Sequence, residues 1–155
     1  MKKLLFIPVA AGLIFAGWTY RPLPNQFEGY VSAIKDCDTI VVKNITVRLA
    51  KIDCPEKKQA FGEEARLYVS HITFGKQVRV IKEGRDRYGR VIGQIYLNDK
   101  DLNYHLVRYG YAWVYRTYCK KCDVLYEAER LAREEKKGLW GNPNPEPPWE
   151  YRKKH

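Results

Sequence analysis

From Phe27 to Ala50 the chain has the two-residue period of β-structure. FEGYVSAI, TIVV and ITVRLA are alternating or β-branched runs, separated by Asp-Cys-Asp and by Lys43-Asn44. The period then changes. Phe61, Ala65, Tyr68, Val69 and Ile72 recur at helical spacing, and Gly75 follows as a terminator. Strand periodicity returns in QVRVI and VIGQIYL, which the Gly-bearing stretch KEGRDRYGR joins as a hairpin. Leu102 to Tyr109 reads as a short helix, with Asp101 at its N-cap and Gly110 as its stop. A last helix is predicted with Asp123 as cap and Leu125, Ala128, Leu131 and Ala132 facing inward. Lys136 and Lys137 sit at the negative end of its dipole, and Gly138 ends it. NPNPEPPWEYRKK is expected to be neither helix nor central strand, because proline removes the donors both need. Residues 143–155 are therefore read as an extended, Pro-rich basic tail, with Trp149 as the residue able to strap it down.

Five short strands, with helices after the third and the fifth, predict a mainly β, α+β domain over residues 26–142. Its expected form is a five-stranded OB-fold β-barrel with about three helices. A sandwich with peripheral helices is the alternative. A chain of 155 residues is long enough for one hydrophobic core, and a monomer is the default. In an OB barrel one open face and its flanking loops make a ready nucleic-acid groove.

Charge sharpens that reading. The formal net charge is +10, and since Lys2 and Lys3 are the only charges among the first twenty residues, the remainder still carries +8. Such a domain attracts polyanions over about a Debye length, so DNA or RNA is the leading partner and an anionic membrane the second. Residues 1–20 read as a targeting segment: two lysines precede an apolar run from Leu4 to Trp18 that is short for a membrane-spanning helix. A cleaved signal peptide and an uncleaved membrane anchor both remain open, and either places the domain outside the cytoplasm. Four cysteines suit that oxidising setting. Cys119 and Cys122 form CKKC, read as a disulfide or free thiols. Zinc would need further ligands, and a thioredoxin-like motif would need a βαβ setting.

Three stretches carry candidate chemistry. In DCDTI, Asp36 and Asp38 stand two residues apart at a strand start, where a local turn cap is the ordinary explanation. In RLAKIDCPE, Arg48, Asp53 and Glu56 crowd one strand end. If Asp38 and Asp53 approach from two strand ends, a shared cation relieves their repulsion, and hard oxygen ligands favour Ca²⁺ or Mg²⁺ over zinc. A backbone carbonyl and water would complete the shell, with Glu56 placed to orient or deprotonate a water. The competing reading is a surface ion-pair cluster contributing about 0–1 kcal/mol. In DRYGR, Arg87, Tyr88 and Arg90 project from a turn made by Gly89. Guanidinium groups from Arg48 and Arg90 match the oxygens of a phosphodiester transition state better than ammonium groups do.

Asp-x-Asp-Thr, then Arg-x4-Asp-x-Pro-Glu, then Asp-x-Tyr-Gly-Arg, in that order on a barrel-like background, resembles the staphylococcal nuclease (thermonuclease) family from about Val31 to Trp140. The resemblance implies an OB-fold barrel with three helices and a Ca²⁺-dependent hydrolysis of DNA and RNA that leaves 3′-phosphate ends. By position, Asp38 and Asp53 match the calcium carboxylates and the backbone carbonyl of Cys54 a third ligand. Arg48 and Arg90 match the phosphate-binding arginines, and Glu56 the general base. Tyr88, with Arg87 beside it, matches the hairpin tyrosine near the nucleotide. Tyr115 and Tyr118 are candidates for base stacking, worth about 1–3 kcal/mol per base, and equally for core packing. Cys37 and Cys54 stand where the reference member has glycine and threonine. If the carboxylates flank one metal, these cysteines are expected to pair, provided their Cα atoms lie within about 7 Å. Two other functions compete with hydrolysis: a barrel that grips nucleic acid without cutting it, and an envelope redox protein built on CKKC.

Overall fold

The structure is a computed structural model that describes residues 23–155, so the leader expected at residues 1–20 lies outside it. In chain order the elements are strands β1 (Gln26–Asp36), β2 (Thr39–Val42), β3 (Ile45–Leu49) and β4 (Ile52–Asp53), then helix α1 (Gly62–Thr73). Strands β5 (Gln77–Arg85), β6 (Val91–Leu97) and β7 (Lys100–Asp101) lead to helix α2 (Leu102–Arg108). Strand β8 (Trp113–Val114) and helices α3 (Asp123–Glu134) and α4 (Pro148–Lys154) complete the chain.

The main sheet runs β3-β2-β1-β5-β6-β7, and a parallel pairing of β3 with β6 closes five of these strands into a barrel with β7 outside the ring. This is the closed five-stranded barrel expected from the periodicity, and closure removes the free edges a small sheet would expose. β1 makes it possible. It is 11 residues long and carries register shifts between Val31 and Ala33 and between Ile34 and Asp36. Such irregularities bend a strand enough to serve two partners around a barrel. Val31, Ile40, Val42, Val47, Leu49, Val80, Val91 and Ile95 fill the interior. The alternation in β3 leaves Arg48 between buried Val47 and Leu49, on the opposite face.

Two buried polar side chains tie the helices to the barrel. Asn103, fully buried on α2, accepts from the Ile95 amide and donates to the carbonyls of Ala50 and Gly93. Glu129, buried on α3, accepts from the Val114 amide and from Arg116 and Arg133. β8 is thereby fixed to α3, and β8 in turn pairs with β4, whose last residue is Asp53. An unpaired carboxylate at such depth would be costly; with these three donors it becomes a strut.

The C-terminal segment departs from expectation. It was expected to be extended, yet Pro148 begins a helix that runs to Lys154. Proline at the first helical position lacks only a donor that has no intrahelical partner anyway, and no proline follows it in the segment. Trp149 does anchor the segment, edge-on to Trp113 at 5.6 Å. The α3 cap also differs: Cys122, not Asp123, occupies the N-cap, and Asp123 is the first residue of the helix, where its charge suits the dipole. Leu131 is only half-buried, and Glu129 takes a place in the interior beside Leu125, Ala128 and Ala132.

Candidate active site and nucleic-acid groove

The β2–β3 register sets Thr39 opposite Arg48 and so brings Asp38 beside it. Asp38 Oδ1 accepts from the Thr39 hydroxyl at 3.0 Å, and Oδ2 from the Cys54 amide at 2.9 Å. Arg48 Nη2 lies 3.2 Å from Asp38 Oδ2 and 3.0 Å from Asp53 Oδ1, so the two carboxylates converge on one guanidinium nitrogen. Arg48 Nη1 donates to the carbonyls of Leu49 and Ile52, both at 2.8 Å. The turn that reverses β3 into β4, with Lys51 at φ 67°, thus clamps the arginine in place. Asp38 and Asp53 are 7% and 2% exposed. Burial, with Asp38 adding repulsion, holds the Asp53 carboxyl above its ordinary value despite the opposing pull of its arginine partners. Asp36 is raised too, by partial desolvation first and then by Asp38 and Glu56.

Cys54 follows Asp53 directly, so its carbonyl leaves the same strand end. Cys37 and Cys54 form a disulfide with Cα atoms 5.8 Å apart, stapling the Asp38 turn to the Asp53 strand. The CKKC cysteines, Cys119 and Cys122, form the second bridge.

Glu56 sits in the loop before α1. Its amide donates to Gln59 Oε1, and its carbonyl accepts from the Gln59 amide at 2.8 Å. Gly62 lets this loop close on the helix: a Cβ there would lie 1.8 Å from the Glu56 carbonyl oxygen. The Glu56 carboxylate reaches the buried pair through a residue missing from the sequence-based set, Arg152 of α4. Arg152 Nη1 donates to Glu56 Oε1 at 2.7 Å, and Nη2 to Asp53 Oδ2 at 2.8 Å. The only hint in the sequence is the basic RKK run just beyond Trp149.

Arg90 begins the exit from the β5–β6 hairpin. Asp86 organises that turn, its Oδ1 accepting from the amides of Tyr88 and Arg90 and its Oδ2 from Arg90 Nε. Burial pushes the Asp86 carboxyl up, but these donors outweigh it and hold it below its ordinary value. β3 pairs with β6 so that Arg48 lies opposite Ile92, two residues beyond Arg90. Arg90 does not touch the carboxylates; with Tyr88, Arg85, Lys35, Asp36 and Thr39 it lines a groove of about 510 Å³. Asp36 and Thr39 stand on either side of the Cys37–Asp38 pair in the chain, but Asp38, Arg48, Asp53 and Glu56 do not line this groove. Arg87 stays at the loop tip, donating to the Tyr88 hydroxyl at 2.7 Å, and the Tyr88 ring is 69% exposed. Tyr118 is also exposed, with its ring edge-on to Tyr115 at 5.0 Å. Tyr115 is half-buried because Trp149 stacks on it at 5.8 Å.

Asp38 and Asp53 offer hard oxygen donors shielded from bulk water, with Asp53 paired to both Arg48 and Arg152. That chemistry fits a hard divalent cation. Among the described residues no group of three or more His, Cys, Asp or Glu side chains is arranged to hold a metal, so the rest of a shell falls to backbone oxygen and water.

Comparison with known proteins agrees with the geometry. The Staphylococcal nuclease homologue family model matches residues 46–142. A Shigella flexneri protein named micrococcal nuclease is 41% identical over 146 residues, covering 85% of this chain and 84% of its own. An uncharacterized endonuclease of Escherichia coli is 41% identical over 145 residues, covering 90% of this chain and 94% of its own. Staphylococcal-like nuclease CAN1 of Arabidopsis thaliana is 39% identical over 116 residues, 75% of this chain and 36% of its own length. A closed barrel with paired carboxylates beside a clamped arginine, together with a family match over most of the domain, leads to one conclusion: the chain belongs to the staphylococcal nuclease family.

Proposed function

We propose that this phosphodiester hydrolase is a divalent-cation-dependent endonuclease, using Ca²⁺ in preference to Mg²⁺, that cuts DNA and RNA with little sequence specificity and leaves 3′-phosphate ends. One observation carries the reading: Asp38 and Asp53, from two separate strand ends, converge on Arg48 in a nearly dry site. Asp38, Asp53 and the Cys54 carbonyl would hold the cation, which when bound supplies positive charge for the phosphate oxygens and acidifies water.

The remaining steps belong to the chain's own side chains. Arg48 Nη1 is held by two backbone carbonyls and Nη2 by the two carboxylates, so its guanidinium is fixed in place with Nε–H left to meet a phosphate. Arg90 faces the groove with its Nε fixed by Asp86, leaving its Nη atoms to meet the charge that builds on phosphorus in the transition state. Glu56, a half-buried carboxylate on a loop pinned by Gln59, orients the attacking water and accepts its proton. Tyr88 offers a face for stacking, which every base can accept, and this supports weak sequence preference. Both cysteine pairs are bridged, which supports placement outside the cytoplasm through the leader, as a signal peptide or a membrane anchor.

The test uses nicked plasmid and its product ends. Glu56→Gln should cut at least a hundredfold more slowly than wild type while still binding DNA. Ends made by wild type should resist polymerase extension until a phosphatase is added. Extension without phosphatase would overturn the assignment of 3′-phosphate products, and undiminished cutting by Glu56→Gln would remove that residue from the chemistry.

A further inference from the structure

Arg152 makes contacts that a cation would otherwise make. Its two Nη atoms touch both oxygens of Asp53, at 3.3 and 2.8 Å, and reach Glu56 Oε1 at 2.7 Å. Residue 152 lies about a hundred positions from either acid, so the contact depends on the whole C-terminal segment being folded back. Several observations show how that segment is held. Pro148 is buried, and Trp149 packs between Trp113 and Tyr115. Gln59, from the loop that carries Glu56, donates to the Glu146 carbonyl at 2.6 Å. Arg152 itself is 40% exposed, so its ion pairs alone would be weakened by solvent. The aromatic anchoring supplies the persistence they lack.

We propose that α4 is an internal competitor of the divalent cation: Arg152 occupies the Asp53–Glu56 carboxylates when the cation is absent, and loading of the site requires the helix to lift. This rests on the reading of Asp38 and Asp53 as the cation site. Arg48 already engages Asp53 Oδ1, and Arg152 engages Oδ2, so a divalent ion that takes Oδ2 must displace Arg152, whose charge would otherwise repel it at contact distance. Lifting α4 also uncovers the Tyr115 ring, now covered by Trp149, and so couples cation binding to exposure of a stacking surface. Because the competent form is only a fraction of the whole, the apparent cation affinity is reduced by that fraction. A strap closed nine-tenths of the time weakens binding about tenfold.

The experiment titrates Ca²⁺ into the chelator-stripped full chain by calorimetry, for wild type and for Arg152→Ala, and follows backbone hydrogen exchange across residues 149–154. Arg152→Ala should bind Ca²⁺ about tenfold more tightly. In wild type, saturating Ca²⁺ should speed exchange in α4; in the variant, where Trp149 still anchors the helix and no α4 residue competes for Asp53, exchange should not respond to Ca²⁺. The wild-type exchange measurement stands even if the variant folds poorly. Equal Ca²⁺ affinity in the two proteins, or α4 protection unchanged at saturating Ca²⁺, overturns the competitor role and leaves the cation site intact. No Ca²⁺ binding by either protein overturns the cation site, and the competitor role with it.

Discussion

Arg48 and Arg90 illustrate two ways of holding a guanidinium ready. Arg48 is clamped by the carbonyls of its own turn and by two buried carboxylates. Arg90 is aimed by a single acid, Asp86, which also fixes the hairpin by accepting from two amides. Removing Arg90 should cost transition-state stabilisation rather than fold, since the Asp86–Tyr88 turn bond survives. Arg90→Ala is expected to lose about 10²–10³ in kcat, the scale for one preorganised donor, with thermal stability little changed. Near-normal turnover would show that Arg90 does not meet the phosphate. At this scale the short motifs holding Asp38, Arg48, Asp53 and Arg90 were each ambiguous alone and pointed to one site only as an ordered set resembling a family. The structure brings Asp38, Arg48 and Asp53 together and sets Arg90 in the neighbouring groove. Arg152 was not legible, because its pairing with Asp53 spans 99 positions and no periodicity encodes it.

The elements matter here through the joints between them. The loop carrying Glu56 closes on α1 only because residue 62 has no Cβ. Gly62→Ala should push the Glu56 backbone away and lower cleavage while leaving DNA binding near normal; unchanged kcat would mean that the position of Glu56 is not critical. A second joint clamps α2 to α3, where Arg108 donates to both oxygens of Glu135 and Lys137 pairs with it. These partners, Arg108 foremost, depress the Glu135 carboxyl to about 2. A depressed carboxylate stabilises the fold above its unfolded value, near 4.5, and that contribution is lost as pH falls through about 2. Arg108→Ala should therefore move the Glu135 titration back toward 4.5, as read by carboxyl NMR; a carboxyl still near 2 would assign the whole shift to Lys137. The barrel strands and α1 were readable from period, and α2 and α3 from caps and glycine stops as well. α4 was not, because four prolines in NPNPEPP mask a helix whose first residue is the last of them.

Taken as a whole molecule, the fold converts sequence distance into a small acidic centre within a basic protein. The barrel closes through β3 and β6, one disulfide ties the turn of Asp38 to the strand of Asp53, and α3 holds that strand from behind through Glu129 and β8. A net charge of +10 draws nucleic acid toward that centre. The most direct measurement is nicking of supercoiled plasmid by the wild-type chain and by the doubly substituted Asp38→Asn/Asp53→Asn chain, each in Ca²⁺, in excess chelator, and after Ca²⁺ is restored. Wild-type cutting should vanish in chelator and return with Ca²⁺, while the substituted chain, folded by circular dichroism, stays silent throughout. Cutting that persists in chelator, or a substituted chain that still nicks at a tenth of the wild-type rate or more, would contradict a hydrolysis centred on those two carboxylates.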